Sequence, residues 1–91
     1  MMMPQQSDDL FEFPCAFPLK IMGLADAALV QAVLEIVLVR APDFDSATIE
    51  QRFSSTGKYL SLTCTINATS REQLDALYRE LSGHPLVKIV L

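Results

Sequence analysis

The chain has 91 residues, 51% of them hydrophobic, so its length allows one hydrophobic core and its composition is sufficient to fill that core. Eleven acidic and seven basic residues give a formal charge of −4, which disfavours nucleic acid and anionic membranes as partners. The most apolar run, residues 27–39, is too short to span a bilayer, because a transmembrane helix needs about 20 predominantly apolar residues.

The N-terminal residues show no hydrophobic period. Residues 1–9 are polar or methionine-rich, and they lack the basic start and apolar segment of a signal peptide. We therefore predict a flexible tail over residues 1–9, a single domain over residues 10–91, and a cytoplasmic location with reduced thiols. Residues 10–16 carry aromatic side chains beside prolines, which predicts an irregular strip along the domain edge.

The first regular elements are a strand and a helix. Residues 17–22 alternate between apolar side chains on one face and others on the opposite face, which predicts a strand. Gly23 allows a tight turn, and Asp26 is placed to cap a helix that runs from Ala27 to about Ala41.

Apolar side chains spread around this helix further than packing on one sheet requires. Leu29 and Val33 lie on the stripe that would face a sheet, whereas Leu34, Leu38 and Val39 lie beside it. Contiguous exposed apolar surface usually marks an interface. We therefore expect Leu34, Leu38 and Val39 to contact a protein partner or a second copy of the chain.

Two further strands follow, joined by a short turn. Residues 48–54 predict a second strand with Ile49 and Phe53 on its inner face, and Gly57 suits the positive φ of a hairpin. From Tyr59–Ala68 polar and apolar side chains alternate strictly, which predicts a central strand with one buried face.

The last elements are a second helix and a fourth strand. Either Thr69 or Ser70 can cap the helix, and Ser70 would form a capping box with Gln73. The strand covers residues 86–91 and, if it continues the same alternation, turns three side chains inward: Val87, Ile89 and Leu91.

The resulting order is strand, helix, strand, strand, helix, strand. Right-handed crossovers place the first and third strands in the centre of an antiparallel four-stranded sheet with order 4-1-3-2 and both helices on one face. The sequence therefore predicts an α+β ferredoxin-like βαββαβ sandwich.

Few residues suit catalysis. His84 is the only histidine and is distant in sequence from Cys15 and Cys64, whereas nucleophilic catalysis needs a thiol and a base within hydrogen-bonding reach. No C-x-x-C pair is present, so we expect no metal and no cofactor. We predict that the protein is not an enzyme; the alternative is a small thiol- or phosphate-dependent enzyme that uses Cys15, His84 or Lys58.

Four motifs resemble the YbeD-like family of small bacterial proteins of unknown function, and the similarity runs over residues 9–91. The motifs are FP followed by F-x-x-K-x-M-G at residues 13–23, S-x-G-K-Y at residues 55–59, E-Q-L-x-x-L-Y at residues 72–78 and V-K-x-V-L at residues 87–91. The resemblance implies a ferredoxin-like fold similar to ACT regulatory domains and suggests a link to lipoate metabolism.

Candidate ligand-binding residues follow from the loop after the first strand and from the motif positions. In ferredoxin-like regulatory modules a glycine after the first strand opens a small pocket, which here would involve Gly23, Leu24 and Asp26. The motif positions add Lys20, Lys58 and Tyr59. The expected function is a regulatory or interaction domain that senses a small metabolite or binds a protein such as a metabolic enzyme.

Overall fold

The computed structural model describes residues 12–91, so the predicted flexible tail over residues 1–9 lies outside the described residues, as do residues 10 and 11. The domain boundaries stay a prediction. The described elements, in chain order, are β1 (Cys15–Leu24), α1 (Ala27–Arg40), a 3₁₀ turn (Ser46–Thr48), β2 (Glu50–Phe53), β3 (Tyr59–Ala68), α2 (Arg71–Ser82) and β4 (Val87–Val90).

The four strands form one antiparallel sheet with the order β2-β3-β1-β4. β3 has the predicted bounds and pairs with β1 along its whole length, from Cys15 opposite Ala68 to Leu24 opposite Tyr59. β2 and β4 lie at the two edges. The predicted ferredoxin-like order and the central place of β3 are therefore confirmed.

Both helices cover the same face of the sheet. The inner residues of β1 and β3 are buried with the apolar residues of α1 and α2 in one cluster, and no polar or charged residue of the described chain is buried. The opposite face of the sheet is not covered by either helix. The centre of the core consists of Leu19, Ile21, Leu29, Val33, Val37, Leu62, Cys64, Ile66, Leu77 and Leu81.

Both helices begin at the residues that the sequence offers as caps. The carboxylate of Asp26 accepts from the Ala28 N–H at 2.9 Å, and the hydroxyl of Ser70 accepts from the Gln73 N–H at 3.1 Å. Ser70 is thus the cap, while the Gln73 side chain accepts from the Thr69 N–H at 2.7 Å. Within residues 12–91, neither helix has the length and hydrophobicity that crossing a membrane would need.

The hairpin between β2 and β3 also follows the prediction. Gly57 has a φ of 76°, in the left-handed region that favours glycine. The Ser54 N–H donates to the Tyr59 carbonyl at 2.9 Å, and the Ser54 hydroxyl accepts from the Tyr59 N–H at 3.0 Å. The turn therefore fixes the register between the two strands.

The bounds of β1 and β2 differ from the prediction. β1 is longer than residues 17–22, because Cys15 and Ala16 pair with β3 and so belong to the strand rather than to an irregular strip. Gly23 and Leu24 also pair with β3, so Gly23 lies within the strand and not in the predicted tight turn. β2 is shorter than residues 48–54, because Asp45 caps the 3₁₀ turn before it. Phe53 is on the helix-facing side as predicted, yet it is 59% exposed because it lies on the edge strand.

The inward orientation predicted for Ile89 and Leu91 is wrong. Val87 pairs with Gly23, but Ile89 pairs with Met22, so the register shifts by one residue in a bulge between them. A bulge moves the residues that follow it to the opposite face. Ile89 and Leu91 consequently line the uncovered face and are 47% and 69% exposed.

Candidate functional site

Five of the six candidate ligand-binding residues lie together where β1 ends and β3 begins. Leu24 pairs with Tyr59, and the N–H of Ala25, next to Asp26, donates to the Lys58 carbonyl at 2.9 Å. The Lys58 ammonium lies 5.5 Å from the centre of the Tyr59 ring. The structure therefore brings Gly23, Leu24, Asp26, Lys58 and Tyr59 to one end of the sheet.

Lys20 lies apart from this group, three residues before Gly23, on the uncovered face of the sheet. It pairs with Thr63 of β3, and its backbone exchanges hydrogen bonds with Leu91 at 2.8 and 3.2 Å. Its side chain is exposed and lines a groove on that face. A ligand that contacts Lys20 would therefore bind on the sheet face.

Gly23 is buried and fits closely under the chain that leads into β4. A Cβ atom at this position would lie 2.2 Å from the carbonyl oxygen of Leu86 and about 3.0 Å from a methyl group of Leu29. The missing side chain thus allows the backbone of residue 86 to approach β1. Neither of the two grooves described below is lined by Gly23.

The uncovered sheet face contains a shallow groove of about 490 Å³. Met22 of β1, Ile89 of β4 and Leu91 form a largely apolar side that also includes Lys20, whereas polar side chains from β2 and β3 form the other side. The sequence reasoning missed Glu50 and Arg52 as groove residues, although their alternation along the second strand would have placed them on this face. The lining side chains include Lys20, Met22, Glu50, Arg52, Ser61, Thr63, Ile89 and Leu91.

A second groove, of about 480 Å³, lies on the helix-covered side between the first turn of α1 and the strands β2 and β3. Asp26 lines it, but its carboxylate already accepts the capping hydrogen bond from Ala28. Phe53 of β2 and Val30 of α1 contribute apolar surface. The groove therefore separates the start of α1 from the edge strand.

Cys15 and His84, the thiol and the base of the alternative enzyme interpretation, lie far apart. Cys15 lies at one end of β1, whereas His84 lies beyond the other end, where its carbonyl accepts from the Val87 N–H opposite Gly23. Cys15 and Gly23 are eight residues apart in one strand, or about 26 Å at about 3.3 Å per residue. A thiol and a base at this separation cannot share a proton.

The second thiol and the histidine ring have structural roles. Cys64 is fully buried, and its burial raises the pKa of the thiol to about 11, which suppresses the reactive thiolate. The ring of His84 accepts from the Leu86 N–H through Nδ1 at 3.2 Å. Among residues 12–91, no three His, Cys, Asp or Glu side chains are grouped so that they could hold a metal ion.

The apolar surface expected on the first helix lies in the second half of α1, and we call Leu34, Leu38 and Val39 the helix patch. Val39 is 73% and Leu38 38% exposed, whereas Leu34 is half-buried and packs partly against the core. Leu34 and Leu38 are one helical turn apart and so lie side by side. The structure thus exposes two of the three residues.

The helix end that carries the patch is held against α2. Arg40 forms an ion pair with Glu80, and the hydrogen bond in this pair lowers the pKa of Glu80 below its ordinary value. The Gln73 side chain donates to the Arg40 carbonyl at 2.9 Å. These contacts fix the orientation of the last turn of α1, and with it the patch.

Comparison with known proteins identifies relatives along nearly the whole chain. A family model described as "Protein of unknown function (DUF493)" matches residues 8–91. UPF0250 protein NE1487 from Nitrosomonas europaea is 56% identical over 84 residues, which cover 92% of this chain and 97% of that protein. A UPF0250 protein from Janthinobacterium sp. (strain Marseille) is 55% identical over 85 residues, which cover 93% of each chain.

A solved structure supports the fold. The solution structure of protein HP0495 from H. pylori matches with a TM-score of 0.69 at 17% sequence identity, covering 100% of this chain and 97% of that one. At this identity the likeness concerns the fold alone. The family match agrees with the resemblance carried by the four motifs. The chain therefore belongs to the DUF493 family, whose UPF0250 members are small bacterial proteins of unknown function.

Proposed function

We propose that this protein is a non-enzymatic cytosolic interaction domain that regulates a protein partner, such as a metabolic enzyme, by binding it through the helix patch. The observation that carries the proposal is the exposure of Val39 and Leu38 on a helix end fixed by Arg40 and Glu80. An apolar surface on a rigid element loses little conformational freedom on binding, so its burial contributes efficiently to affinity.

The arrangement of the reactive side chains supports a binding role over catalysis. Cys15 and His84 lie near opposite ends of β1, and the thiol of Cys64 is enclosed in the core with a raised pKa. Nucleophilic catalysis requires an accessible nucleophile and a base in hydrogen-bonding reach. These separations favour a protein that acts through its surface.

A second candidate function is the sensing of a small metabolite at the end of the sheet. The groove beside the first turn of α1 favours it, because the groove adjoins Asp26 and lies near the group formed by Gly23, Leu24, Lys58 and Tyr59. A cavity of about 480 Å³ is within the size range of small-molecule sites. In this version the ligand would modulate the partner contact on α1.

Replacing Leu38 with glutamate tests the partner-binding proposal. A tagged wild-type protein is used to capture partners from its native cell, the captured protein is identified by mass spectrometry, and its affinity is then measured with both proteins purified. We expect Leu38→Glu to weaken the measured affinity by at least about tenfold, because the change places a charge in an apolar contact. The fold should persist, since Leu38 is 38% exposed.

Ala28→Glu is the matched control, since it adds the same charge at an exposed position in the first turn of α1, nearly three turns before Leu38 and outside the lining of both grooves. We expect it to bind like the wild type. A partner that binds Leu38→Glu with unchanged affinity would refute a role for the helix patch. If, in addition, an amino acid or lipoate-pathway metabolite raised the melting temperature, the metabolite-sensing candidate would be favoured.

A further inference from the structure

Within residues 12–91, no strand pairs with the outer edge of β2, and two hydrogen bonds show which of its backbone groups point outward. The Ser54 N–H donates to the Tyr59 carbonyl, and the Ala25 N–H donates to the Lys58 carbonyl. Because backbone groups alternate along antiparallel strands, odd-numbered residues of β3 face β2, and their partners Glu50 and Arg52 face β3. The N–H and carbonyl groups of the alternate β2 residues therefore point away from the sheet.

These outward backbone groups belong to Gln51 and Phe53. All four residues of β2 are exposed, so neither helix covers this edge. An uncovered edge strand is a template for pairing with another strand. The charges and apolar surface of the β2 side chains then determine which strand can pair with this edge.

The side chains of β2 are complementary to a second, antiparallel copy of the same strand. Glu50 and Arg52 share the uncovered sheet face, since they pair with Thr63 and Ser61, whereas Gln51 and Phe53 share the helix-covered side. In an antiparallel pair centred on Gln51, Glu50 of each copy lies opposite Arg52 of the other. Opposite charges directly across a strand pair attract each other.

The two neighbouring registers are unfavourable. A pair centred on Glu50 would place Glu50 opposite its own copy, and a pair centred on Arg52 would do the same for Arg52. Like charges directly opposite each other are destabilising. The register centred on Gln51 also matches the backbone, because the outward N–H of Gln51 in each copy meets the outward Gln51 carbonyl of the other.

The same register covers exposed apolar surface. Phe53, which is 59% exposed, would lie opposite Ile49 of the second copy on the helix-covered side. Ile49 is half-buried and directly precedes β2. Two such contacts flank the central pair of Gln51 residues, one on each side of the two-fold axis.

We propose that two copies of this chain associate through their β2 edges, antiparallel and centred on Gln51, to form one continuous sheet. This interface is separate from the helix patch, so the association neither requires nor excludes the proposed partner. The paired segments are short, and small interfaces bind weakly. We therefore expect a reversible equilibrium between monomer and dimer.

Charge exchange in β2 tests the register. Sedimentation equilibrium of the wild type should show the average mass rise with concentration from the chain mass of 10.1 kDa towards twice that value. Glu50→Arg leaves two arginines on each β2 edge, and Arg52→Glu leaves two glutamates, so each variant alone should stay monomeric. An equimolar mixture of the two variants restores both opposite-charge contacts and should again form a dimer.

Recovery in the mixture separates the proposal from a folding defect, because two unfolded variants could not restore a specific dimer. Gln51→Pro, which removes the central outward N–H, should also stay monomeric, while Gln51→Thr keeps that N–H and should dimerise. A wild type that remains at 10.1 kDa up to about 1 mM would overturn the proposal. So would single variants that dimerise like the wild type, a mixture that stays monomeric, or a dimer that Leu38→Glu dissociates.

Discussion

Gly23→Ala is expected to lower the free energy of unfolding by about 3 kcal/mol, at the upper end of the usual cost of overpacking. The new methyl group would lie 2.2 Å from the carbonyl oxygen of Leu86 and against the Leu29 side chain. Backbone atoms cannot rotate away as a side-chain end can, so the chain leading into β4 would have to move. Urea unfolding followed by circular dichroism measures the loss.

Gly83→Ala provides the matched control. Gly83 has helical dihedral angles, and a Cβ atom there would lie 3.2 Å from its nearest neighbour, the Arg79 carbonyl oxygen. Small adjustments can accommodate this contact, and alanine also restricts the unfolded chain, so we expect a change below about 1 kcal/mol. A Gly23→Ala protein as stable as Gly83→Ala would show that residue 86 does not approach β1 as closely as described.

Leu62→Ala is expected to lower the free energy of unfolding by about 3 kcal/mol, within the range for buried leucines. Leu62 is fully buried in the middle of β3, between Ile21 on β1 and Gln51 on β2. Its truncation removes apolar contacts and leaves a cavity that neighbouring strands and helices cannot close. The same urea titration measures the effect.

Leu38→Ala is the control for Leu62→Ala, because it removes the same atoms from a side chain that is 38% exposed. We expect it to cost less than about 1 kcal/mol, since the position makes fewer core contacts. Equal losses for the two variants would contradict the placement of β3 at the centre of the core and of Leu38 at the surface.

Much of the fold could be predicted because several local signals agree. The alternation from Tyr59–Ala68 gave the bounds of β3, and capping chemistry gave the start of both helices at Asp26 and Ser70. These signals depend on side chains a few residues apart, so the sequence displays them directly. The sheet order then followed from general rules of chain connection.

The errors arose where tertiary contacts decide the outcome. The bulge that places Ile89 and Leu91 on the uncovered face lies where β4 pairs with Met22 and Gly23, close to the approach of the Leu86 carbonyl to Gly23. Alternation within the fourth strand alone cannot show it. The exposure of Phe53 depends on how far the helices extend over the sheet. The apolar contribution of Ile89 and Leu91 to the groove on the uncovered sheet face was therefore not predicted.

For the same reason, only part of the candidate site could be predicted from the sequence. Lys58 and Tyr59 could be connected with Gly23 and Leu24 once the sheet order was known, because β1 and β3 are antiparallel neighbours. The β2 edge was not predicted, because Glu50 and Arg52 have the composition of ordinary surface residues and only the strand pairing establishes their face and their outward-pointing neighbours. The backbone groups that an edge strand offers to a partner can be identified only when the hydrogen-bond direction of each residue is known.

Residue-resolved amide hydrogen exchange of β3 tests whether β3 lies inside the sheet, with β1 on one side and β2 on the other. Both alternating series of β3 amides should exchange slowly, with Leu60 and Leu62 bonded towards β1 and Ser61 and Thr63 towards β2. If Ser61 and Thr63 exchanged as fast as amides in an unfolded peptide, β3 would be an edge strand, and the account of the fold, the sheet-face groove and the β2 interface would be contradicted.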